Sequence, residues 1–266
     1  MPKFIIITFK FMSEIIAVIN QKGGTGKTTT SHNLGYGLAR KGKKVLFIDL
    51  DPQGNLTFSC GINEFEHSLA DVIYQDKSLN ETIIKLDEKI DLVPTDIELA
   101  HTELFLTQQD DREFIISKAL KETAKRYDYV IIDCQTSLSV LTINALVAAT
   151  KIVIPLQMTI LSLKGLDLVL STIQDVKENL NKHLKVAGIL PVMIDRRRKL
   201  STEVIDIIVG NFDIHVFKSQ IGSSVRAAEA PSFGKSVLEY APSCNVAKHY
   251  GLFVKEFLSI TKKLNK

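Results

Sequence analysis

Asn20-Gln21-Lys22-Gly23-Gly24-Thr25-Gly26-Lys27-Thr28-Thr29-Thr30 follows the apolar run Ile15-Ile16-Ala17-Val18-Ile19 and leads into a helical stretch from Asn33 to Arg40. Strand, glycine-rich loop and helix in that order form a phosphate cradle. The glycines let the backbone curl so that successive N–H groups face one anion, and the helix adds the positive end of its dipole. In the pattern GxxxxGK[ST], Lys27 neutralises β- and γ-phosphates and the Thr28 hydroxyl ligates Mg²⁺. Lys22, Gly23, Gly24, Thr25, Gly26, Lys27, Thr28 and Thr29 are the expected nucleotide-binding residues. The strict pattern has Gly where this chain has Gln21, and it has no second lysine at the place of Lys22.

Outward from the loop, β-branched runs alternate with stretches of helical period. The runs are Val45–Ile48, Ile90–Val93, Tyr129–Ile132, Ile152–Ile154 and Val186–Leu190. Strands that are apolar throughout are buried on both faces, which requires helices on both sides of a mostly parallel sheet. Segments such as Phe114–Lys125 and Leu163–Leu180 are long enough for the crossovers. The expected architecture is one doubly wound α/β domain over residues 13–266. Residues 1–12 precede it, and their sequence fits an added strand, an untethered arm or the product of an upstream start codon.

Composition excludes several classes. With 45% hydrophobic and 24% charged residues over 266 positions, the chain is globular rather than disordered or fibrous. No apolar run is long enough to span a bilayer, and Phe4–Met12 lacks a signal-peptide cleavage site. Three Cys without a CxxC pair suit a reducing cytoplasm. Six scattered His without HExxH argue against a zinc site. The net charge of +3 permits nucleic-acid contact without implying it.

Carboxylates fall at two strand ends, where open α/β sheets bind ligands. Asp133 ends the run Tyr129–Ile132 and is the expected Mg²⁺ carboxylate, acting through a water beside Thr28. Asp49-Leu50-Asp51-Pro52-Gln53-Gly54-Asn55 ends the second run. Cys134 has no histidine near it in sequence and is read as a packing residue.

The loop KGGTGKT with Lys22, the segment DLDPQGN and the later stretch Val225-Arg226-Ala227-Ala228-Glu229-Ala230-Pro231-Ser232-Phe233-Gly234-Lys235 resemble the ParA/Soj partition ATPases, which carry a deviant Walker A box. Asp195-Arg196-Arg197-Arg198-Lys199-Leu200-Ser201 is similar to another segment of that family, and the likeness runs from about Ile15 to Leu258. The resemblance implies a slow ATPase using ATP and Mg²⁺, in which Lys22 reaches the partner's phosphates across a homodimer. It implies that Asp51 orients the attacking water, so that Lys22, Lys27 and Asp51 are the expected catalytic residues. It further implies ATP-dependent, non-specific binding of double-stranded DNA on a nucleoid in the cytoplasm, with a ParB-like activator. Arg226 is the expected DNA contact, joined by Arg196, Arg197 and Arg198 as a cationic cluster. The chain departs from the family at Gln135-Thr136, at Lys164 and at Ile221-Gly222-Ser223, the last leaving the adenine contacts unassigned.

A membrane-cycling ATPase of MinD type is the alternative, as is positioning of another cargo such as chemoreceptor clusters. The stretch Tyr250–Lys263 is apolar at helical spacing and ends basic, which a membrane anchor and a packed final helix both explain. Stable membrane association is not expected, because DPQGN and EAPSxGK belong to the partition branch.

Overall fold

A computed structural model describes residues 13–75, 77–194 and 200–265. The chain begins with β1 (Glu14–Val18), α1 (Lys27–Ala39), β2 (Val45–Leu50), α2 (Asn55–Ser59) and α3 (Leu69–Tyr74). It continues with β3 (Ile84–Asp87), β4 (Ile90–Val93), α4 (Glu98–Leu106), α5 (Ile115–Thr123), β5 (Tyr129–Cys134) and α6 (Val140–Ala148). Then follow β6 (Lys151–Gln157), α7 (Ile160–Asn179), β7 (Lys185–Val192) and α8 (Leu200–Asn211). The chain closes with α9 (Val225–Glu229), α10 (Val237–Tyr240) and α11 (Asn245–Leu264).

Among the described residues one seven-stranded sheet has the order β3-β4-β2-β5-β1-β6-β7. All neighbours are parallel except β3 and β4. The expected α/β architecture is therefore present, with one strand added. Ile84-Lys85-Leu86-Asp87 alternates half-buried and exposed positions, as a strand at a sheet edge does, and returns to β4 through Glu88-Lys89.

Side-chain alternation along each strand feeds two cores. Ala17, Leu46, Ile48, Val130 and Ile132 face one helix layer, with α5, α6 and α7. Ile16, Val18, Phe47 and Ile131 face the other, with α1 and α11. That is why the strands are apolar at every position. Helix α11 buries Tyr250, Phe253, Val254 and Phe257 against this second face. Its end is tied down as well: the ammonium of buried Lys151 donates to Glu14 and, at 2.7 Å, to Asn265 Oδ1. The apolar stripe of Tyr250–Lys263 is thus a packing face. Among the described residues no helix is long and apolar enough to cross a membrane.

Candidate nucleotide site

The sheet order sets β2, β5 and β1 side by side, with their carboxyl ends at one edge. In the register, Asp133 of β5 lies between Val18 of β1 and Asp49 of β2. The loop leaving β1 therefore arches over two buried carboxylates.

That loop turns through Gly24 and Gly26, whose φ values of 69° and 73° are left-handed and strain any residue with a Cβ. Gly26 is the N-cap of α1 and supplies no side-chain cap. The first N–H groups of α1 are left to serve an anion. Lys22 is fixed at three points: its N–H donates to Asn20 Oδ1 (2.9 Å), its carbonyl accepts from Thr25 Oγ1 (3.1 Å), and its Nζ donates to Gln157 Oε1 (3.0 Å). Asn20 is itself anchored, donating from Nδ2 to Pro155 O at 2.6 Å.

Lys27 opens α1 and is buried. Burial lowers its pKa, against the opposing pull of Asp133 and Asp51. Thr28 Oγ1 donates to Asp133 Oδ2 at 2.6 Å, and Ser31 Oγ donates to Oδ1 at 2.7 Å. Burial pushes Asp133 up to about 6, opposed by these two hydrogen bonds and by Lys27. Burial and the nearby Asp133 push Asp49 up to about 8, although it accepts from Thr57 and Asp51. Two buried carboxylates at adjacent strand ends, both pushed up, mark a site short of positive charge.

Asp51 lies just past β2, partly exposed, with Oδ1 accepting from Gln53 N at 3.0 Å and its carbonyl accepting from Gly54 N at 2.8 Å. This is a turn closed by the aspartate's own side chain. Thr29 and Gly26 border a cleft of about 240 Å³ that continues to Ile221, Gly222, Ser223 and Tyr250. The departure at Ile221-Gly222-Ser223 thus sits beside the phosphate loop. At the other departure, Gln135 Nε2 donates to Ser139 Oγ at 2.7 Å, which stabilises the turn without proline. Burial pushes the Cys134 thiol well up, so it is an inert packing group.

Sequence reasoning missed Asn20, Ser31, Thr57 and Gln157. Ser31 had a signal, lying one helical turn after Thr28 on the same face. Gln157 had none, because only the sheet brings β6 beside the loop.

Arg226 is exposed on the five-residue helix α9, and its Nη1 donates to Glu229 Oε2 at 3.0 Å. Tyr240 donates to the same oxygen at 3.2 Å and stacks on Phe233 with centroids 4.8 Å apart. Arg196, Arg197 and Arg198 lie outside the described residues.

Known proteins resemble this chain in sequence and in fold. A family model described as an AAA domain matches residues 13–186. The sporulation initiation inhibitor protein Soj of Bacillus subtilis is 43% identical over 249 residues, covering 92% of this chain and 98% of its own. The chromosome partitioning protein ParA of Caulobacter vibrioides is 38% identical, covering 92% of this chain and 94% of its own. Among solved structures, one named cobyrinic acid a,c-diamide synthase from Mycobacterium smegmatis, with bound ADP and magnesium, superposes with a TM-score of 0.83 at 34% identity, covering 94% of this chain and 96% of that one. Near-complete coverage by partition proteins, together with the two-lysine loop on this sheet, places the chain: it belongs to the Soj/ParA family of chromosome-partitioning ATPases.

Proposed function

We propose that this protein is an ATP-hydrolysing switch for DNA partition. Mg-ATP drives two protomers into a dimer, the dimer binds double-stranded DNA without sequence preference, and hydrolysis, accelerated by a ParB-like partner, returns monomers. The observation that carries this reading is the convergence of Lys27, Thr28, Asp133 and the Asp51 loop at the adjacent ends of β1, β5 and β2.

The residues present fit magnesium. One hydroxyl and one carboxylate meet at 2.6 Å, and no cluster of three or more His, Cys, Asp or Glu exists among the described residues to form an all-protein metal cage. Mg²⁺ is commonly held by one or two protein groups plus phosphate oxygens and waters. Thr28 Oγ1 would hold it directly and Asp133 through water, and the ion would supply charge neutralisation at the phosphate oxygens. Lys27 and the free N–H groups of α1 bind and orient the phosphates. Lys22 serves the partner protomer's nucleotide, and Asp51 accepts a hydrogen bond from the attacking water and holds it in line. Such positioning and charge stabilisation are what phosphoryl transfer requires of the protein.

The membrane reading loses its main support with α11 buried on the sheet. A ligase reading, suggested by the name of the M. smegmatis structure, leaves Lys22 without a task.

The test is Asp51→Ala. The variant should bind Mg-ATP and sediment as a dimer, with turnover lowered by about 10²-fold or more. Wild-type turnover in that variant contradicts the mechanism.

A further inference from the structure

Asp49 is a fully buried carboxylate with no task in phosphate binding, metal binding or water activation. Its Oδ2 accepts two hydrogen bonds from a single residue, Thr57 N and Thr57 Oγ1, both at 2.8 Å. Its Oδ1 accepts from Asp51 N at 3.3 Å. The Thr57 hydroxyl in turn accepts from Thr95 N at 3.1 Å. One buried carboxylate therefore joins the end of β2, the helix α2 and the segment that follows β4.

The Asp51 loop is strung between these anchors. Its N–H is held by Asp49, and its carbonyl is closed onto Gly54 N at 2.8 Å, at the start of α2. Gly54 has φ 61°, and a Cβ there would lie 2.9 Å from Thr95 O, so the loop presses on the same segment that Thr57 grips. A buried carboxylate is costly unless donors satisfy it, and the donors that satisfy Asp49 belong to this loop and to α2. Asp49 is closed to solvent, so it acts on the reaction through other groups.

We propose that Asp49, acting through the Thr57 hydroxyl, is the positioning residue that fixes where Asp51 presents its carboxylate. The inference rests on the role given to Asp51 under the proposed function. It predicts a loss confined to the chemical step, because neither Asp49 nor Thr57 belongs to the phosphate loop or to the first turn of α1. A merely structural role would instead weaken folding and nucleotide affinity together.

The experiment compares Thr57→Val, which keeps shape and removes the hydroxyl, with Thr57→Ser, which restores it. Displacing a reacting group by about 1 Å costs up to about 10²-fold, so Thr57→Val should lower kcat by about 10- to 100-fold with ATP affinity within about twofold. Thr57→Ser should recover kcat to within about threefold of wild type. Affinity is read with a fluorescent ATP analogue and folding by circular dichroism. Unchanged kcat in Thr57→Val overturns the proposal, and so does a parallel loss of kcat and affinity. If Thr57→Val does not fold, Asp49→Asn is read by the same split. Asp51→Ala is measured alongside. Wild-type turnover there removes the Asp51 role and this inference with it. Lost turnover there, with unchanged kcat in Thr57→Val, overturns the Asp49–Thr57 role alone.

Discussion

Thr28 Oγ1 donates its proton to Asp133 Oδ2 across 2.6 Å, joining residues 105 positions apart in the chain. The hydroxyl hydrogen is thereby committed to the carboxylate, and the oxygen's lone pairs are left for a cation. Ser31 occupies the other carboxylate oxygen, so α1 is clamped to β5 by its first two turns. The strand that carries the acid and the helix that follows the glycine-rich loop are therefore tied into one unit. The two lysines differ in their relation to that unit.

Lys27 belongs to it, and Lys27→Ala should abolish ATP binding. Lys22 sits at the exposed rim with its ammonium on Gln157. Lys22→Ala should bind ATP within about threefold of wild type yet fail to dimerise, because in the proposed dimer this ammonium pairs with a phosphate held by the partner. Sedimentation with ATP checks this; a normal Lys22→Ala dimer contradicts the sandwich arrangement.

Arg226 is paired with Glu229 on an exposed surface, where solvent screens such pairs and leaves them weak. In the proposed DNA complex, backbone phosphates compete with Glu229 for this guanidinium. Glu229→Gln should raise affinity for random-sequence duplex, whereas Arg226→Glu should lower it for every sequence alike. The slope of log affinity against log salt should flatten by about 0.9 for each phosphate left without its cation. Salt titrations of the two variants provide the check. An unchanged slope in Arg226→Glu contradicts the assignment.

His32 provides a pH test of the fold itself. It lies in α1 beside Tyr36 and Phe47, with Nε2 buried and unpaired, and burial pushes its pKa down to about 3. The unfolded chain binds this proton at the ordinary value of about 6.5, so the native state holds fewer protons between these limits. The group's contribution is therefore intact above about pH 6.5 and is lost as pH falls towards 3, by up to about 1.4 kcal/mol per unit. Urea unfolding of wild type and His32→Phe at pH 7 and pH 5 isolates this contribution. The wild type should lose about 2 kcal/mol more than the variant over that interval, and equal losses contradict the assignment.

The parallel strands were legible because burial on both faces makes each an unbroken apolar run, as in Val45–Ile48 and Tyr129–Ile132. Strand β3 was not, since Ile84-Lys85-Leu86-Asp87 is short, half exposed and indistinguishable from a polar loop without its neighbour. The phosphate loop was legible because its function depends on contiguous residues. Pairs such as Lys22–Gln157 and Asn20–Pro155, each 135 residues apart, exist only through the pairing of β1 with β6. The Asp49–Thr57 link spans only eight residues, but Thr57 is an ordinary helix residue until the turn at Gly54 brings it back over β2.

Nucleotide-gated DNA binding separates a partition switch from every rival, and equilibrium binding of the wild-type protein to random-sequence duplex decides it. The measurement is made with Mg-ATP, with Mg-ADP and without nucleotide, beside anionic vesicles under the same conditions. Tight duplex binding in Mg-ATP alone, weakening steeply with salt and without vesicle binding, is the predicted result. Vesicle binding without duplex binding, or duplex binding indifferent to nucleotide, contradicts it.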